Sequence, residues 1–204
     1  RDALASFLRF SYVPAPHSIY KDIKKLLPGH LLCLKSPSDA TESHPYWSLD
    51  KVIQNGLDSS FTGSEEEATD ELEVRLKKTV KSRMVSDVPL GAFLSGGIDS
   101  STIVSLMQSL SNRPVNTFTI GFHKEEYNEA IHAKKVAKHL DTNHTELYVT
   151  PQEAMDVVPK LPEMYDEPFA DSSQIPTYLI SALARQHVTV AISGDGGDEL
   201  FAGY

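Results

Sequence analysis

The apolar positions of this 204-residue chain change period repeatedly, and each change marks an element. Past residue 64, Ala68, Leu72, Leu76, Val80 and Met84 recur every four residues. That spacing puts one stripe on a helix. Ser64 followed by Glu67 predicts its N-terminal capping box. Pro89 stops any continuation. A short apolar run at 92–94 then predicts a buried strand, and Ile103, Val104, Met107 and Leu110 predict a helix over 100–110. The β-branched and aromatic run 115–122 predicts a strand, 128–140 a helix with Ala130, Ala133 and Ala137 inward, and 144–150 a further strand. Residues 173–186 follow as a helix with Pro176 in its first turn, and 188–193 as a last strand. Strands and helices in alternation predict an α/β fold, a parallel sheet flanked by helices.

The first quarter of the chain has no such rhythm. The stretch FSYVPAPHSIYKDIKKLLPGHLLCLK reads as a turn, a short helix, a Pro28-Gly29 turn and a strand over 30–34. Residues 45–50 are its expected partner strand, and the polar, glycine-containing stretch 54–64 is the expected linker. The domain boundary follows: a β-rich piece at 1–60 and an α/β domain at 61–204.

Composition narrows the function classes. The chain is 40% hydrophobic and 23% charged, within the globular range, with a formal charge of −9. An acidic balance argues against a nucleic-acid partner, which demands a basic face. No apolar run approaches the roughly 18 residues of a membrane span. The single cysteine, Cys33, forbids an intrachain disulfide and fits a reducing, cytoplasmic setting. Lying in the apolar pattern HLLCLK, it is expected to be buried and inert. The N-terminal RDALASFLRF lacks an initiator Met, and its apolar run is too short for a signal peptide. The other end stops at LFAGY. Both ends read as cuts in a longer protein.

Two glycine-rich turns carry the chemistry. The first is Ser95-Gly96-Gly97-Ile98-Asp99-Ser100, between a strand and a helix. Glycines let backbone approach an anion, and a helix N-terminus offers unbonded N–H groups and the positive end of a dipole. Ser95, Ser100 and Ser101 add hydroxyls. The turn lacks the lysine of a Walker A loop and the spacing of a dinucleotide fingerprint. Instead it contains an acid, Asp99, which beside phosphates makes sense as a Mg²⁺ ligand. The second turn, Ser193-Gly194-Asp195-Gly196-Gly197-Asp198-Glu199, also follows an apolar strand. Two such turns after two parallel strands predict one shared site, with Mg²⁺ between Asp99 and Asp198 and Asp195 nearer the reaction. The competing reading is solvated turn chemistry with no ligand.

At these residues the sequence resembles a known family. SGGIDSS resembles the PP-loop of the ATP pyrophosphatases, which split ATP between its α- and β-phosphates. SGDGGDELFAGY and YDEPFADSSQIPTYLIS are similar to the glutamine-hydrolysing asparagine synthetases. The early FLRFSYVPAPHSIYKDIKKLLPGH resembles the end of the glutaminase domain that precedes the synthetase domain there. The resemblance implies that residues 1–60 are the remnant of an N-terminal-nucleophile glutaminase domain plus linker, and that 61–204 are a truncated ATP-pyrophosphatase domain. It implies ATP and Mg²⁺ as cofactors: Ser95, Gly96, Gly97, Asp99 and Ser100 for pyrophosphate; Leu94, Ile120, Ser193 and Gly194 for adenosine; Asp99 and Asp198 for the metal. Asp195 takes the position linked to forming the β-aspartyl-AMP intermediate, where some members carry the longer Glu. The implied substrates are aspartate, ATP and ammonia from glutamine. A homodimer of the full-length protein is compatible with it.

The chain also departs from the family. A glutaminase of this type needs an N-terminal cysteine whose own α-amine acts as base, and this chain begins with Arg1. The later helical part of the synthetase domain is absent. The fragment is therefore expected to carry the ATP site with little or no synthetase activity. Two alternatives stay open: a related PP-loop amidotransferase or β-lactam synthetase acting on another carboxylate, and a non-catalytic nucleotide-binding module. His123, His132, His139 and His144 show no zinc spacing and are expected to be solvated. Asp166, Glu167 and Asp171 could face substrate or serve as caps and surface.

Overall fold

The computed structural model describes residues 1–36, 42–123, 128–201 and 203. The chain divides into two units: 1–64 together with 160–171, and 65–159 together with 172–204.

The second unit holds a four-stranded sheet in the order β5-β4-β3-β6. Its strands are β3 (Leu90–Phe93), β4 (Asn116–Phe122), β5 (Asn143–Val149) and β6 (Val190–Ile192). Every pair is parallel, with Ala92 opposite both Thr117 and Ile192. Alternation along the strands splits the core in two. Ala92 and Leu94 face α3 (Glu65–Arg83), α4 (Ile98–Leu110) and α5 (Ala130–Leu140), packing with Val80, Val104, Met107, Ala133 and Ala137. Phe93 and Phe118 face α8 (Gln174–Ala184), packing with Ile180, Leu183, Ala184 and Val188. The predicted parallel α/β sheet is thus observed, with strand ends displaced by a few residues. The α3 stripe is used only at its C-terminal end: Val80 is buried, whereas Leu72 is 37% exposed. Helix α6 (Pro151–Met155) escaped the periodicity reading although Thr150 and Glu153 form a complete capping box.

The strand order positions the site. From β3 the chain moves outward to β4 and β5, then returns to the opposite side of β3 as β6. The crevice between β3 and β6 is a topological switch point, where open α/β sheets bind ligands beyond the strand carboxyl ends. The turns after β3 and β6 both open there.

The first unit contains α1 (Asp2–Phe10), a hairpin of β1 (His30–Leu32) and β2 (Ser43–Pro45), α2 (Leu49–Asp58) and, from the later segment, α7 (Leu161–Met164). Here four expectations fail. No helix forms between residues 11 and 27. The Ser18 hydroxyl donates to the carbonyls of Tyr20 and Ile23, and Asp22 is left-handed (φ 64°), so local side-chain bonds displace the helical ladder. The partner strand lies at Ser43–Pro45 rather than 45–50, because Ser48 caps α2 by accepting from the Lys51 N–H. Helix α2 in turn occupies the first half of the expected linker, leaving 59–64 irregular. Finally, Cys33 is exposed. The hairpin is only three residues long on each strand, and Leu31 within it is 60% exposed.

Candidate functional site

The first turn is shaped by its own hydroxyls. The Ser95 N–H donates to Ser100 Oγ (3.2 Å), the two hydroxyls meet at 2.9 Å, and the Gly97 N–H donates to Ser95 Oγ (3.2 Å). Ser100 is buried, and its hydroxyl braces the loop against Ser95. Ser101 Oγ is buried as well. Gly97 sits at the α4 N-cap in extended conformation. The N–H groups of Ile98, Asp99 and Ser100 therefore point out of the helix start without intrahelical partners. Gly96 is left-handed (φ 83°), and a Cβ there would lie 2.6 Å from the Ala133 backbone nitrogen. The loop therefore seats against the α5 backbone at His132 and Ala133.

The second turn touches the first. A Cβ on Gly194 would lie 2.9 Å from the Ser100 nitrogen and 3.1 Å from the Asp99 carbonyl carbon. A Cβ on Gly197 would lie 2.4 Å from Asp99 Oδ2. These glycines are set by space. Gly196 is set by conformation, with φ 93° and nothing within 4 Å of a Cβ. Asp195 is exposed and accepts a hydrogen bond from the Ser193 hydroxyl (2.9 Å). Asp198 opens α9 (Gly197–Phe201), and its carbonyl accepts from the Gly203 N–H (3.0 Å).

The predicted site residues are thus brought to one sheet edge, with two refinements. The Leu94 side chain is 1% exposed in the core on the α4 side, so only its backbone is free for a ligand. Ile120 is half-buried on β4. Its alternation with Phe118 places it on the α8 side of the sheet. Ile98, which the sequence reading did not single out, is 86% exposed at the α4 N-terminus, an apolar side chain held at the mouth of the loop.

The electrostatics leave the acids uncompensated. Asp99, Asp195 and Asp198 form no ion pair among the described residues, unlike the paired Lys25–Glu167, Arg75–Glu71, Lys77–Glu73 and Lys134–Glu146. No three Asp, Glu, His or Cys side chains converge on one point among those residues. Carboxylates without cationic partners, beside a cradle of N–H groups, suit a hard cation that draws its remaining oxygens from a phosphate.

Other candidates lie outside this edge. His144 is not solvated as expected: it is half-buried on β5 with Nδ1 2.9 Å from Thr117 Oγ1. Burial pushes its imidazole below the usual range, against the pull of Glu146. Glu167 is engaged within the first unit, its carboxylate accepting from the Lys25 ammonium and the Ile19 N–H.

Comparison with known proteins bears on the same residues. The asparagine synthase family matches residues 71–204, which include both turns. The chain belongs to the asparagine synthase family. A relative in Methanocaldococcus jannaschii is 38% identical over 205 residues, covering all of this chain and 38% of its own length. Asparagine synthetase [glutamine-hydrolyzing] 1 of Bacillus subtilis is 35% identical over 204 residues, covering all of this chain and 31% of its own. The chain therefore spans about a third of the length of the curated relatives it matches. Among solved structures, the NMN synthetase of Francisella tularensis is 18% identical with a TM-score of 0.44, covering 70% of this chain and 59% of that one.

Proposed function

We propose that this chain is the ATP-binding part of an asparagine synthetase that activates the side-chain carboxylate of aspartate. In the first step a carboxylate oxygen attacks the α-phosphorus, and the α–β bridging bond breaks to release pyrophosphate. In the second, ammonia attacks the acyl carbon of β-aspartyl-AMP; the C–O bond breaks, AMP leaves, and the surplus proton is lost to give asparagine. Glutamine is the proposed ammonia source, and residues 1–60 the end of the domain that hydrolyses it.

The observation that carries this reading is the direct packing of the two turns at the switch point, with Gly194 and Gly197 against Asp99. The Ser95–Ser100 loop would bind pyrophosphate through the N–H groups at the α4 start, developing charge on the leaving group being met by preorganised donors. The absence of a lysine fits a loop that holds a leaving pyrophosphate and transfers no γ-phosphoryl group. Asp99 and Asp198 would hold Mg²⁺, which when bound neutralises phosphate charge. Asp195, exposed and oriented by Ser193, would act nearest the α-phosphate. Ile120 would line the adenosine pocket, with Leu94, Ser193 and Gly194 contributing backbone.

The test is isotope exchange between pyrophosphate and ATP in the full-length protein. Aspartate should drive exchange, and Asp195→Asn should abolish it while ATP still binds. Exchange driven by another carboxylate and not by aspartate would move the protein to a sister amidotransferase activity. No exchange with any carboxylate, despite ATP binding, would leave a nucleotide-binding module.

A further inference from the structure

Residues 160–171 interrupt the second unit. The chain leaves that unit after Pro159 and rejoins it at Ser172, and the segment between belongs to the first unit. Its attachments there are polar and long in sequence. The Ala170 N–H donates to the Ser11 carbonyl (2.8 Å), and the Tyr20 hydroxyl donates to the Asp166 carbonyl (2.5 Å). Glu167 uses both carboxylate oxygens: Oε1 takes the Lys25 ammonium and Oε2 the Ile19 N–H (3.0 Å). The same ammonium donates to the Val13 carbonyl.

We propose that 160–171 is a strap that completes the N-terminal unit, with the Glu167 carboxylate as its anchor, so that residues 1–64 do not reach their folded form without this later piece of chain. Val13 is the only fully buried hydrophobic residue among the described residues of that unit. Segment 11–27 carries no helix or strand, and these bonds tie it to 160–171. The Glu167 side chain is 20% exposed and that of Lys25 34%. The pair is therefore more than a fully solvated surface contact, which contributes almost nothing. Removing the carboxylate leaves the Ile19 N–H without its acceptor and the Lys25 ammonium with the Val13 carbonyl alone, the costly way to break a hydrogen bond. Both partners of Glu167 are donors. An amide offers only one acceptor oxygen, so Glu167→Gln turns its NH₂ group toward a donor. The inference does not depend on the ATP chemistry of the second unit.

Hydrogen exchange on the full chain tests it. In Glu167→Gln, and separately in Lys25→Met, the amides of 11–27 and 160–171 should exchange about tenfold faster or more, as loss of roughly 1.4 kcal/mol implies, with β3 and β4 unchanged. Unaltered protection of 11–27, or an equal rise throughout the sheet, would overturn the strap. A second measurement needs neither variant. A protease site placed within 59–64 allows the folded chain to be nicked. The strap predicts that the two pieces co-elute and that 11–27 stay protected; pieces that separate without denaturant would refute it.

Discussion

The two units of this chain are stabilised in different ways. In the second, a sheet is sandwiched between helices, and Phe118, Leu94, Met107 and Val104 are at most 1% exposed. In the first, Leu31, Tyr46, Leu57 and Phe61 are all more than half exposed, and polar bonds join residues far apart in sequence. Apolar burial writes itself into a sequence as periodicity. A hydrogen bond between residues 148 positions apart, as from Ile19 to Glu167, leaves no local trace.

The sharpest way to break the comparison is to remove one large side chain from each unit. Phe118→Ala should cost about 3–5 kcal/mol, through lost burial and the cavity left behind. Leu57→Ala, at a residue 69% exposed, should cost within about 0.5 kcal/mol. Denaturant unfolding followed by far-ultraviolet ellipticity gives both values, and comparable losses would mean that the units share one kind of core.

A smaller effect is expected where the two turns meet. Gly194→Ala forces a methyl to 2.9 Å from the Ser100 nitrogen. The turns must part, at a cost of about 1–3 kcal/mol, typical of overpacking. Nucleotide titration should show ATP binding weakened about tenfold or more, whereas Gly196→Ala should act through backbone strain with no steric contact.

The smallest effect concerns pH. Burial raises the Glu167 carboxyl, but the Lys25 ammonium and the Ile19 N–H outweigh it, so the group lies below the usual carboxylate range. A depressed folded-state value means that its contribution is complete above the unfolded value of about 4.3. The contribution is lost as pH falls through the folded value. Trp47, the only tryptophan, lies in the first unit, its backbone N–H donating to the Gly29 carbonyl. Its fluorescence should therefore change in acid before the ellipticity of the sheet unit does, and Glu167→Gln should remove that early step. Coincident transitions would contradict independent stabilisation.

The same contrast explains what could be read from the sequence. Strands β3, β4, β5 and β6 were legible because apolar runs end at glycine or polar turns, and the two turns marked the candidate site. Other features were not legible. Ser100 reads as a ligand donor, and only the fold shows that its hydroxyl also braces the loop at Ser95. Leu94 looked like a pocket wall but packs into the core, since its place in the strand alternation sends it to the α4 side. Cys33 looked buried because an apolar run implies a covering layer, and the described part of its unit provides none. Gly194 was expected near nucleotide, but only the fold shows that it also seats one turn against the other.

The central claim is that the two turns make one site for Mg²⁺ and ATP, with Asp99 at their junction. Calorimetric titration of ATP with Mg²⁺ and with chelator, in the wild-type chain and in Asp99→Ala, tests it most directly. The account predicts that Mg²⁺ strengthens ATP binding in the wild type and that Asp99→Ala erases most of that gain. Equal Mg²⁺ dependence in both proteins would contradict it.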